Sequence, residues 1–129
     1  MAVRFEWTDD FSVGDQELDT QHRYLFAIGN RLQDAGVEGA QKIAMELFQY
    51  CREHFEAEEA QMQKVGYPDL DLHHEFHNNL INDLNVTVDG GIKDQDQLEA
   101  FIVFFRRWLI EHVMYQDKKY FDFCQTQAE

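Results

Sequence analysis

Apolar residues recur along most of this chain at steps of three and four, the spacing that gathers them on one face of an α-helix. Leu18, His22, Leu25, Gly29 and Leu32 form a first stripe, predicting a helix from near Asp15 or Leu18 to near Gly36. Gly36 and Gly39 mark its stop and the connection. A second stripe runs through Ile43, Leu47, Tyr50, His54, Glu58 and Met62, from about Ala40 to Val65, and Gly66-Tyr67-Pro68 ends it. The third, from about Asp69 to Val88, turns His73, His77, Leu80, Ile81 and Leu84 inward, and Gly90-Gly91 closes it. The fourth starts near Asp94 or Asp96 and carries Leu98, Phe101, Ile102, Phe105, Leu109 and His112. Lys118 to about Gln125 reads as a short C-terminal helix capping the bundle. Residues 1–16 hold Phe5, Trp7 and Phe11 without a sustained period and read as an arm packed across it. The period-two alternation of strands is absent. The pattern predicts an all-α protein: an up-down-up-down antiparallel four-helix bundle over about 17–116, in a single domain spanning 1–129.

Polar residues stand on these apolar stripes, and their spacing is regular. His54 and Glu58 lie four residues apart, as do His73 and His77, so each pair shares one helix face, one turn apart. Short connections make neighbouring helices rough reflections through their turns. His22 then matches His54 about a point between Gly36 and Gly39. His54 matches His77, and Glu58 matches His73, about a point beside Gly66. His77 matches His112 about a point just past Gly90-Gly91. At a rise of about 1.5 Å per residue all these side chains fall within roughly one helical turn of a single level. Asp117 is five residues beyond His112, which on a regular helix sets the two about 140° apart. For both to face one centre the backbone between them must carry a π-bulge or unwind, a local irregularity common at functional sites.

Composition narrows the class. The chain has 129 residues, 44% of them hydrophobic, enough for one core. A formal net charge of -14 argues against nucleic acid and anionic membrane surfaces as partners. Two cysteines without a CxxC spacing, Cys51 and Cys124, exclude a zinc knuckle and argue against a disulfide scaffold. No signal-peptide pattern and no apolar run of membrane-spanning length is present, so the expected location is the cytoplasm.

Five histidines and two carboxylates in a bundle interior are too many ligands for one metal and suit two. If Glu58 and Asp117 both bridge, together with a solvent-derived oxygen, a metal with three histidines is six-coordinate and one with two histidines keeps an open position. Imidazole and carboxylate donors without thiolate suit iron. Ferritin-like di-iron bundles use Glu-x-x-His with carboxylates in excess. The nitrogen-rich set here should stabilise high oxidation states less and disfavour O–O cleavage, leaving dioxygen bound and released intact.

The chain resembles the hemerythrin family, its single-domain bacterial members in particular, from Trp7 to about Phe123. The resemblance rests on Asp19-Thr-Gln-His22, His54-x3-Glu58, His73-x3-His77 and His112-x4-Asp117, with Glu59, Met62, Tyr67-Pro68, Trp108-Leu109 and Tyr120 in support. It implies two iron ions bridged by Glu58, Asp117 and an oxo or hydroxo group. His73, His77 and His112 would then hold the coordinatively filled iron, and His22 and His54 the iron that takes dioxygen as hydroperoxide. The oxygen pocket it implies has Phe55, Trp108, Leu109 and Val113 as apolar walls. Tyr50, one turn before His54 on the inner row, carries a hydroxyl less usual at that place, and the expectation for it is a role in tuning access or autoxidation. The implied function is reversible dioxygen binding for transport, storage or sensing, with no enzymatic turnover and no catalytic residue. The alternatives are a peroxidase-like or nitric-oxide-handling di-iron enzyme with the same ligands, and iron storage. Dioxygen is the expected partner, with room for a client oxygen-consuming protein, and the chain is expected to be a monomer. His74 reads as a solvent-facing residue. Glu59 reads as a solvated carboxylate able to bond the outer nitrogen of a ligand histidine.

Overall fold

The computed structural model describes residues 4–128, apart from the side chains of 113, 114, 127 and 128. Helix α1 spans Gln16–Val65 and is broken once, at Gly36. There φ is 64° and ψ is -169°, a region essentially reserved for glycine. The chain folds back on itself at this residue. Tyr24 meets Tyr50 with ring centroids 4.6 Å apart, and Arg31 meets Glu46 at 3.1 Å, so residues on either side of Gly36 pair across it. The two arms, 16–35 and 37–65, are the first two helices of the bundle. Gly39 is helical, which makes the connection narrower than the two glycines suggest.

Helix α2 is Leu70–Gly90 and α3 is Gln95–Glu111. A π-helical turn, His112–Asp117, follows, and α4, Lys118–Ala128, continues from it. The C-terminal helix is therefore present, reached through helical backbone with no intervening loop. No strand occurs among the described residues. The result is the all-α four-helix bundle expected from the stripes.

The helix ends are set by local chemistry. Asp15 accepts from Glu17 N–H at 2.9 Å and Asp94 from Gln97 N–H at 2.8 Å, so carboxylates cap both N-termini. Gly66, at φ 73°, ends the second arm, with Tyr67 N–H returning to Met62 C=O at 2.9 Å. The Gln41 amide donates to Val88 C=O at 2.8 Å and accepts from Ile92 N–H at 3.1 Å, which ties the α2–α3 connection to the second arm.

One core runs from Phe5 and Leu25 through Leu32, Leu47, Leu84 and Ile102 to Leu109. A smaller cluster of Met62, Tyr67 and Tyr120 closes the other end. The histidine–carboxylate layer separates the two. The N-terminal arm lies across the bundle as expected. Phe5 and Val13 are its buried residues, and the Phe5 ring packs edge-on to Phe26 and against Phe105. Trp7 and Phe11 are half-buried beside Phe26. Asn30 clamps the Phe5 backbone with two bonds of 2.8 Å. Asp19 accepts from Val13 N–H at 2.9 Å and from Ser12 Oγ–H. Asp19 thus anchors the arm, although it belongs to the Asp19-Thr-Gln-His22 motif.

Candidate metal centre

All seven ligands expected from the sequence converge on one layer. His22 comes from the first arm, His54 and Glu58 from the second, His73 and His77 from α2, and His112 and Asp117 from the two ends of the π-turn. The backbone irregularity required by the five-residue spacing is there: six consecutive π-helical residues bring His112 Nε2 to 3.1 Å from Asp117 Oδ1. Asp117 is fully buried and His22, His73, His77 and His112 nearly so, while His54 keeps slight exposure.

The carboxylates divide their oxygens in one consistent way. Asp117 turns Oδ2 to His22 Nε2, at 2.6 Å, and Oδ1 to His112 and His73, at 3.1 and 3.4 Å. Glu58 turns Oε2 to His54, at 3.4 Å, and Oε1 to His73 and His77, at 2.8 and 3.3 Å. Each carboxylate therefore faces a two-histidine side with one oxygen and a three-histidine side with the other. Glu58, His73, His77 and His112 offer ligand atoms all within 4.8 Å of one another.

Apart from the His22–Asp117 contact, which is a hydrogen bond, these short distances are not hydrogen bonds. Nε2 of His54, His73, His77 and His112, both Glu58 oxygens and Asp117 Oδ1 are buried and have no hydrogen-bond partner. Seven unpaired polar atoms in one layer would carry a large desolvation cost in a finished core. Imidazole nitrogens and carboxylate oxygens aimed at a common interior are the donor set of a cation site, so the residues fit a metal pair.

The outer ring nitrogens show how the set is oriented. His77 Nδ1 lies 3.1 Å from Glu59 Oε2, the carboxylate-to-histidine bond expected for Glu59, which fixes the tautomer that turns Nε2 inward. The other Glu59 oxygen bonds His74, and Asn78 Nδ2 donates to the far nitrogen of that ring at 3.0 Å. His74 is exposed, as expected, yet it is held in this surface-to-centre chain, a link that spacing along one helix does not reveal.

Aromatic rings cover the layer. Phe55 stacks on His77 at 3.8 Å, and Trp108 on His112 at 4.8 Å. Phe55 also borders His54 and Trp108. Tyr50 stacks on His54 at 5.7 Å with the ring planes 3° apart. Leu109 is fully buried in the same core. Of the pocket walls expected from the sequence, the Val113 side chain lies outside the described residues. Phe76, which sequence reasoning missed, stacks on His112, and Tyr67 sets its edge against His73.

Burial pushes the Glu58 carboxyl up and the Asp117 charge adds to this, but the imidazoles of His54, His73 and His77 facing it outweigh both and hold it below the usual carboxylate range. Asp117 is likewise raised by burial and brought down further by His112, His22 and His73. Burial pushes His73 down, while Asp117 and Glu58 win and push it up to about 9 from 6.5. The metal-free fold therefore gains stability from protonated His73 that is full below pH 6.5 and lost as pH rises through about 9. A protonated ring cannot ligate, so a metal held by His73 would displace that proton. Anaerobic addition of Fe(II) at about pH 7 in weak buffer should release about one proton per chain more than the same addition made above the raised His73 pKa of about 9, the difference coming from His73. An indicator dye measures it, and release that does not change with pH would contradict the arrangement.

An all-α bundle with a buried histidine–carboxylate layer is the architecture of a non-haem metalloprotein, and similarity to known proteins specifies which kind. Residues 13–124 match the family model described as the hemerythrin HHE cation binding domain. A hemerythrin-like protein of Naegleria gruberi is 36% identical over 116 residues, 90% of each chain. A bacteriohemerythrin of Clostridium acetobutylicum is 30% identical over 128 residues, covering 92% of this chain and 99% of its own. The crystal structure of a wild-type hemerythrin superposes with a TM-score of 0.77 at 29% identity, over 89% of this chain and 93% of that one. The chain belongs to the hemerythrin family. It is a non-haem iron-binding protein of the four-helix-bundle type. No helix among the described residues is long and apolar enough to cross a membrane.

Proposed function

We propose that this chain binds dioxygen reversibly at a di-iron centre held by His22, His54, Glu58, His73, His77, His112 and Asp117. The observation that carries the reading is the division of oxygens by Glu58 and Asp117, one to the two-histidine side and one to the three-histidine side. That is the arrangement of two bridging carboxylates. His73, His77 and His112 would then hold one metal. His22 and His54 leave the other a position for a small ligand.

When bound, an iron pair supplies the electrons that dioxygen takes up on binding and returns on release. The chain's own part is to set where this happens and to keep water out. Phe55, Trp108 and Leu109 form a dry apolar side to the layer, which limits the loss of reduced oxygen species. Tyr50 lies flat on His54 and fixes the plane of that ring. Burial pushes its hydroxyl up to about 12, and the neighbouring Cys51 and Tyr24 act in the same direction. Tyr50 therefore stays neutral at physiological pH. Glu59 holds the proton of His77 at Nδ1. No side chain in this set is a poised general acid or base, and the reading is of a carrier without catalytic turnover. The chain would act as a single domain, 1–129, as a monomer in the cytoplasm, holding oxygen for transport, storage or sensing.

The test is an absorption spectrum through reduction, oxygenation and deoxygenation. A charge-transfer band that appears with oxygen, fades under argon and returns over repeated cycles is the expected result. Immediate irreversible oxidation would place the protein among di-iron enzymes. No oxygen-dependent band at all would make it an iron store.

A further inference from the structure

We propose that a cleft between the start of α1, the second arm and α4 is the route by which ferrous ion enters to load the centre. The proposal rests on the seven-residue reading of that centre. The cleft has a volume of about 520 Å3, and His54 and Glu58 are among its lining residues. Three other surface depressions are lined by none of the seven. The three-histidine side is closed by stacked rings: Phe55 on His77, and Trp108 and Phe76 on His112. The outer nitrogen of His77 is covered by Glu59.

The lining suits a divalent cation better than a neutral gas. Asp15 and Glu17, half-exposed and exposed, supply carboxylates. Gln21 and Gln61 add amide oxygens, and Gln21 Oε1 is buried without a hydrogen-bond donor. Glu58 itself is 7% exposed, and neither of its oxygens has a partner. Hard cations give up water reluctantly and exchange it for oxygen ligands one at a time. A passage of oxygen donors ending at an unpaired carboxylate lets that exchange proceed stepwise. The chain's net charge of -14 raises the local concentration of cations at such an opening. Leu18, Tyr120 and Phe121 give the lining an apolar share as well, and the dry wall of Phe55, Trp108 and Leu109 is not part of it.

A route changes rates and leaves the end point alone, which gives the test. Metal-free protein is mixed anaerobically with Fe(II), and uptake is followed as protein-bound iron against time. Removal is then followed with an Fe(II) chelator. Glu17→Lys reverses the charge of the exposed lining carboxylate while leaving the Asp15 cap intact. It should slow uptake about three- to tenfold at low ionic strength, with the difference shrinking as salt is added. Ala57→Trp, a lining position exposed on the second arm, should obstruct the cleft and slow uptake and removal alike. Both variants should reach the final iron content of the parent. Glu99→Gln, outside the cleft, serves as the control and should load at the parental rate. Parental rates in both cleft variants, or equal slowing in the control, would overturn the proposal while leaving the centre in place. Absence of iron uptake by the parent protein would instead sink the reading of the centre.

Discussion

Asp117→Ala is expected to leave the chain with at most about one iron, because the bridging carboxylate proposed here would hold both metals and its loss would leave neither side complete. The side chain is fully buried and central: one oxygen faces His22, the other His73 and His112. Its removal takes a donor from each side at once, whereas loss of His54 would take one donor from one side. A metal that binds only the folded chain stabilises it by mass action, so the variant should also lose the rise in melting temperature that iron confers on the parent. Iron content and thermal melts with and without Fe(II) provide the readout. Two irons per folded chain in Asp117→Ala would remove this residue from the bridge.

Gly29→Leu is expected to dislodge the N-terminal arm. A Cβ at position 29 would lie 2.5 Å from the Phe5 ring, closer than side-chain atoms can pack. Phe5 cannot slide aside, because Phe26 and Phe105 flank the ring and Asn30 clamps its backbone on both polar groups. The larger residue must therefore expel the ring, re-exposing Phe5 and part of Phe26. The loss of apolar burial and overpacking together cost about 2–4 kcal/mol. A lowered melting temperature and rapid proteolytic clipping ahead of Gly14 should follow, with iron binding retained because no ligand touches Gly29. A parental melting temperature would show that the arm contributes nothing to the bundle.

The helices and the histidine–carboxylate layer were legible because both depend on periodicity. Stripes at steps of three and four mark the buried faces. Histidines standing on those stripes are unusual enough to mark a site, and reflection through short turns sets their common depth. The His112–Asp117 spacing shows how a conflict informs. Two residues that should face apart on a regular helix, yet are both needed at one centre, require the π-turn that is found there. What was not legible depends on register between helices. The Glu59–His74 contact joins the second arm to α2, and Phe76 reaches His112 from a neighbouring helix. Neither can be read from spacing along one element. The single-residue turn at Gly36 was blurred by Gly39, since a glycine at a reversal and a glycine inside a helix look alike in a string of letters. The cleft beside His54 and Glu58 needs α1, the second arm and α4 in place before it exists at all.

Glu58 and Asp117 are proposed to bridge two irons. The most direct test is iron per folded chain measured together with low-temperature magnetic susceptibility of the oxidised protein. Bridged by two carboxylates and a solvent-derived oxygen, two ferric ions are strongly coupled and their moments cancel. Two irons per chain and a nearly diamagnetic sample are the expected result. One iron per chain, or two with the full moment of isolated ferric ions, would contradict it.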